Sequence, residues 1–244
     1  MEEYLMEYYS KNLTVDGHDV DFNGVARASA LMRYIQTAAQ DQLTDNGMSY
    51  DQLKEKKRAF ILSRIKMEIG DAVKEYEPLT AVTFPCESRG YSFLRCYKLM
   101  RGGETIGRAV SIWAMIDTET RALVKVNDFD LALKTFEPLD LALTRIAMPS
   151  EMTEVGKYTV SYGMLDRNRH MNNTRYPDIY ATFMPMDGKR IAEITINYSN
   201  EAPAGDTLTV YRGEANGYYY FRTVRSDGKT NSEAEIRIEN VVKE

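Results

Sequence analysis

The chain has 244 residues, 43% hydrophobic and 27% charged, with a formal net charge of −5. That length holds two modest cores, and the acidic balance argues against a general nucleic-acid binder, which carries a basic footprint. No apolar run approaches the roughly 18 residues of a membrane span, and the start, MEEYLMEYYSKN, is acidic and tyrosine-rich where a signal peptide is basic and apolar, so a cytoplasmic protein without membrane attachment is expected.

His18 reads as a loop residue, and the first clear period follows Asp21 and Asn23. Leu31, Tyr34, Ile35, Ala38, Ala39 and Leu43 recur at helical spacing, with Ser29 as the expected N-cap. Next comes a basic cluster, Lys54, Lys56, Lys57 and Arg58, which reads either as a solvated helix end or loop or as a surface for an acidic protein partner. Four strand-like runs follow: ILSRIKMEI, LTAVTFPCES, SFLRCYKLM and TIGRAVSIWAMI, with Arg101-Gly102-Gly103-Glu104 as a hairpin turn. Cys86 and Cys96 lack metal-ligand spacing and partner histidines, so reduced structural thiols are expected. The stretch 136–149, FEPLDLALTRIAMP, contains Pro138 and ends on Pro149, and reads as a connector. Beyond it Tyr176, Ile179, Tyr180, Phe183 and Met184 predict a second helix over 173–184, with Asn173 as cap and Pro177 tolerated in the first turn. AEITINYS, TLTVYRG, YYYFRTVR and SEAEIRIENVV predict the last strands, with Ser226-Asp227-Gly228-Lys229 as a turn.

The chain repeats itself. Sliding it by 145 positions, the offset from Asp21 to Asp166, also pairs Asn23 with Asn168, Thr14 with Thr159, Val15 with Val160 and Thr37 with Thr182. Each half reads as a short strand, one long helix and an antiparallel meander, and a single helix buries its apolar face only by lying on that sheet. This is an α+β arrangement, the hot-dog, used in tandem: 1–137 as a first domain, 138–149 as the connector and 150–244 as a second domain.

Only the second copy carries chemistry. In an extended segment Asp166, Asn168 and His170 point to one side, and a following helix start offers free backbone N–H groups suited to an oxyanion. A carboxylate, an amide and an imidazole supply an orienter, a neutral donor and a proton carrier. The same residues also suit a plainer role, with Asp166 and Asn168 capping a turn and His170 packed at the helix entry. Val25 stands opposite His170, and with one gap Ala72 or Val73 stands opposite Glu201, so one site per chain is expected.

LDRNRHMNNTRYPDIY resembles the active-site segment of the acyl-acyl-carrier-protein (acyl-ACP) thioesterases. FILSRIKMEI and GETIGRAVSIWAMIDTETRALVKV resemble the family's N-terminal hot-dog, and ITINYSNEAPAGDTL resembles the segment with its last catalytic residue. The resemblance implies a hydrolase that releases fatty acid from acyl-ACP, with Asp166, Asn168, His170 and Glu201 as its catalytic set. Glu201 would activate water or, alternatively, act as a nucleophile. Asn168 and His170 would orient the water or the carbonyl, Asp166 would hold their geometry, and a helix-start N–H would bind the oxyanion. Ala202 stands where plant members carry a cysteine, which removes a thiol mechanism at that position.

The inactive half is then free to hold the acyl chain, with Met32, Ile35, Ala39 and Met48 as candidate walls or as ordinary core. Acyl carrier protein is acidic, so Lys54, Lys56, Lys57, Arg58, Arg167 and Arg169 are its candidate contacts. No metal site or cofactor is implied, and either a monomer or a homodimer fits the duplication. An acyl-CoA thioesterase and a non-catalytic acyl-binding protein are the competing readings.

Overall fold

A computed structural model describes residues 8–129, 131 and 133–242; the first seven residues of the acidic start lie outside them. In chain order the elements are β1 (Tyr9–Thr14), α1 (Ala28–Asp45), α2 (Tyr50–Glu55), β2 (Arg58–Ile69), β3 (Pro78–Pro85), β4 (Phe93–Arg101), β5 (Glu104–Asp117) and β6 (Leu123–Val124). The second half follows with β7 (Thr153–Thr159), α3 (Tyr176–Ala181), β8 (Lys189–Tyr198), β9 (Thr207–Ala215), β10 (Tyr218–Val224) and β11 (Thr230–Asn240).

The strands form one sheet in the order β1-β3-β4-β5-β2-β8-β11-β10-β9-β7, with β6 paired to β5. The second five strands repeat the first five in reverse, so the two halves meet as an internal pair. Their seam is antiparallel: Ile65 faces Ile196, Met67 faces Ile194, and Lys66 lies opposite Thr195 between them. Side chains alternate across each strand. One face of this sheet therefore packs against α1 and α3 in a core shared by the halves, which includes Leu31, Ile35, Ile65, Ile179, Tyr180, Ile194 and Phe221.

The helical period of α1 matches what it buries: Leu31, Ile35, Ala38 and Ala39 are all buried. Ser29 is not its cap. The helix starts at Ala28 after Arg27, and the Ser29 hydroxyl donates to Asp178 Oδ1 at 2.6 Å, tying α1 to α3. The helix expected over 173–184, α3, is much shorter than its period predicts. Asn172, not Asn173, caps its entry by accepting from Thr174 N at 3.0 Å, and a 3-10 turn over Asn173–Arg175 leads into six α-helical residues. Pro185 disfavours helical geometry at the residue before it. Phe183 N and Met184 N accordingly donate in tight turns to Tyr180 O and Ala181 O.

The connector residues Phe136, Leu139, Leu141 and Leu143 pack on the outer face of the first half, against Val82, Phe84, Cys86, Cys96 and Val110. Both cysteines are free and buried there. Among the described residues no helix is long and apolar enough to cross a membrane.

Asp206 locks the start of β9 to the β10–β11 turn. Its carboxylate accepts from Ser226 Oγ at 2.7 Å, Arg225 Nε at 2.8 Å and Thr207 N at 2.9 Å. Burial alone raises this carboxyl, but the bonds from Ser226 and Arg225 outweigh it and hold the group below its ordinary value of 3.8. A depressed folded-state value gives stability that is present above the unfolded value and lost as pH falls through the folded one. Asp206→Asn is therefore expected to lower Tm at pH 7, with the gap from the parent protein closing below about 3.8. A gap that holds constant from pH 7 to pH 3 would contradict this.

Candidate active site

The segment from Leu165 to Met171 is a tight turn capped by Asp166, as in the plainer of the two sequence readings, and not an extended run. Leu165 bridges Met171, and Asp166 N donates to His170 O at 2.8 Å. Asp166 Oδ1 accepts from the backbone N–H of Asn168 at 2.8 Å and of His170 at 3.0 Å. Asp166 thus holds Asn168 and His170 through their main chain. Arg169 takes a φ of +66° to close the turn.

The first half builds the same turn. Asp21 Oδ1 accepts from Asn23 N at 2.8 Å, and Gly24, with φ of +73°, stands where Arg169 does. Ala26 N donates to Val73 O at 2.7 Å as Met171 N donates to Ala202 O at 2.8 Å. By that correspondence Ala72 occupies the place of Glu201, and Val25 that of His170. The first copy serves structure instead: Asn23 Nδ2 donates to Met186 O at 2.8 Å and Lys189 O at 3.0 Å, and Gly188 N donates to Asn23 Oδ1 at 2.9 Å.

In the second copy the pairing of Met171 with Ala202 brings Glu201 beside His170. His170 Nε2 lies 3.6 Å from Glu201 Oε2, longer than a hydrogen bond and within reach of a charge contact, and both side chains are about one-third exposed. Arg121 Nη2 donates to the same Oε2 at 3.0 Å. Glu201 Oε1 has no protein partner among the described residues. Tyr50 OH donates to Asn168 Oδ1 at 3.0 Å. The helix-start amides of Met171, Asn172 and Thr174 are already bonded, to Ala202 O, Met164 O and Asn172 Oδ1.

Tyr50 and Arg121 come from the first half and were missed in the sequence. Tyr50 opens α2, whose Ser49 and Gln52 form a capping box, a signal legible as Ser-x-x-Gln. Arg121 ends the turn after β5, where Asp117 Oδ1 accepts from Glu119 N and Thr120 N, and it takes a φ of +62°. Such backbone conformations in a non-glycine residue gather at functional sites.

A cavity of about 940 Å³ opens beside Asn168 and runs into the first half. Leu43, Leu53, Phe60, Phe93, Trp113 and Phe129 give it apolar walls. Of the four expected wall residues, Ala39 and Met48 line it. Met32 and Ile35 do not; they are 0% and 1% exposed in the core under the sheet. Helical period marks a buried face without telling which part of that face borders a cavity.

Lys54 and Arg58 border the same cavity. Lys57 pairs with Glu119, and Arg58 with Asp117. The Arg167 guanidinium lies 5.1 Å from the Tyr50 ring centroid, and Lys56 lies 5.9 Å from that of Phe129. Among the described residues Lys54, Lys56, Arg167 and Arg169 have no carboxylate partner. A carboxylate, an imidazole and a guanidinium gathered beside a turn whose Asn168 borders an apolar pocket suit hydrolysis of a bond that joins an apolar acyl group to a polar carrier.

Oleoyl-acyl carrier protein thioesterase 2 of Arabidopsis thaliana is 24% identical over 82% of this chain, which spans 61% of that protein's length. The acyl-ACP thioesterase of Bacteroides thetaiotaomicron superposes with a TM-score of 0.84 at 23% identity, over 98% of this chain and 100% of that one. The 12:0-ACP thioesterase of Umbellularia californica superposes with a TM-score of 0.76 at 16% identity, over 96% and 97%. These superpositions share the double hot-dog fold. Residues 6–132 match the acyl-ACP thioesterase N-terminal domain and residues 148–240 match its C-terminal domain, so the chain belongs to the acyl-ACP thioesterase family.

Proposed function

We propose that this protein hydrolyses fatty acyl-ACP to free fatty acid and holo-ACP, with the first half holding the acyl chain and the second half carrying the chemistry. The observation that carries this reading is the contact of Glu201 and His170, in the turn whose Asn168 borders a cavity built by the other half. Glu201 Oε1, without a partner among the described residues, takes a proton from water as the water oxygen attacks the thioester carbonyl carbon. The carbon–sulfur bond then breaks, and the departing thiolate regains a proton from the site. Arg121 holds the other Glu201 oxygen, and Asn168, fixed by Tyr50, helps His170 orient the reacting carbonyl.

The carrier docks over the mouth on Lys54, Lys56, Arg167 and Arg169, whose charges have no carboxylate partner among the described residues. Lys57 and Arg58, already paired, contribute less. Work as a monomer or homodimer in the cytoplasm belongs to the same reading. Thiol release from matched acyl-ACP and acyl-CoA series tests it: the expected result is higher kcat/KM on acyl-ACP, and binding without turnover of any thioester would overturn it. Lys54→Glu with Lys56→Glu is expected to raise KM for acyl-ACP several-fold, less so at high salt, while leaving a short acyl-CoA unchanged. Equal effects on both substrates would count against that docking surface.

A further inference from the structure

One wall of the cavity carries a charge that the proposed reaction does not use. Arg95 lies in β4 between Phe93 and Tyr97 in strand alternation, on the face turned toward α1, and is 7% exposed. Its Nη1 donates to Gln42 Oε1 at 2.6 Å and to Thr83 Oγ1 at 2.9 Å, both neutral. Among the described residues no carboxylate pairs with it, and Nε and Nη2 have no protein acceptor. Gln36 lines the same cavity, and its Nε2 is buried without a partner.

Buried guanidinium groups ordinarily meet a carboxylate, because an unpaired buried charge is costly. Here the groups without an acceptor are all donors, and both residues line a space large enough for a ligand. An alkyl chain laid against them displaces water and returns no hydrogen bond, whereas an acceptor oxygen forms a charge-assisted one. Sites built to bond a polar group reject the analogue that lacks it far more strongly than apolar pockets reject a wrong length.

Resting on the reading that this cavity takes the acyl group, we propose that Arg95 and Gln36 form an acceptor-binding subsite, and that the preferred acyl chain bears an oxygen function, carboxylate or oxo, beyond the thioester. Three pantetheine amides of equal chain length, in which nitrogen replaces the thioester sulfur, serve as probes: a plain chain, one ending in a carboxylate and one bearing an oxo group. Calorimetry on the whole protein is expected to give a Kd about tenfold or more lower for an oxygen-bearing probe than for the plain one. The ranking of the carboxylate and oxo probes tells which function the subsite takes. Arg95→Met is expected to abolish the preference while binding the plain probe as well or better, and Gln36→Leu to weaken it if Arg95→Met does not fold. Tighter binding of the plain probe, a preference that survives Arg95→Met, or binding of no probe would overturn the subsite. Because the probes cannot be hydrolysed, the two readings fail separately. Preference without turnover of any thioester removes the hydrolase and keeps the subsite, and turnover of plain acyl-ACP without preference does the reverse.

Discussion

Glu201→Gln is expected to lower kcat on acyl-ACP by roughly 10²- to 10⁴-fold, the usual worth of a general base, with KM changed little. The substitution keeps the shape of the side chain and an oxygen for Arg121, whose Nη2 lies 3.0 Å from Oε2, and removes the charge and basicity of the carboxylate. Binding is spared because the cavity walls are first-half residues, with Asn168 the lining residue from the second half. A fall in kcat/KM carried by KM alone would move Glu201 from the chemistry to substrate binding. Wild-type turnover would remove it from the site.

Tyr180→Ala is expected to cost about 3–5 kcal/mol of folding stability, and Tyr180→Phe only about 1 kcal/mol. Tyr180 is fully buried; its ring stacks on Phe221 at 4.9 Å between centroids, and its hydroxyl bonds with Ser232 Oγ at 2.7 Å. A six-residue helix is too short to hold itself together, so α3 exists through this packing. The loss is a large share of the roughly 5–15 kcal/mol that holds a typical protein folded. It also reaches the site, because the chain runs from His170 through the Asn172 cap directly into α3. Urea unfolding of the two variants checks this; a Tyr180→Ala loss no larger than that of Tyr180→Phe would show that the ring packing contributes little.

The strands and the register of α1 were legible because they rest on local periodicity, and the duplication because residues match at a fixed offset of 145. The length of α3 was not. Phe183 and Met184 continue the helical spacing, yet Pro185 and the tight turns after Tyr180 end the helix first. Of the two readings of the Asp166 segment the structure takes the plainer, a turn capped by Asp166; its twin carries Asn23-Gly24, a pair that favours a positive φ, and the slide sets Arg169 opposite that glycine. Tyr50 and Arg121 reach the site from 118 and 80 residues away in sequence from their partners, Asn168 and Glu201. Nothing in their local sequence encodes that meeting. The cavity is non-local for the same reason: α1 supplies Ala39 to it while burying Met32 and Ile35 in the core.

The proposed hydrolysis joins second-half chemistry to a first-half pocket. Thiol release from acyl-ACP by the wild type and by a His170→Ala, Glu201→Gln double variant tests it most directly, with binding of a non-hydrolysable acyl amide measured on both. The predicted result is turnover by the wild type, none above background by the double variant, and similar binding by the two. Equal turnover by both proteins would contradict the account and place the chemistry on other residues.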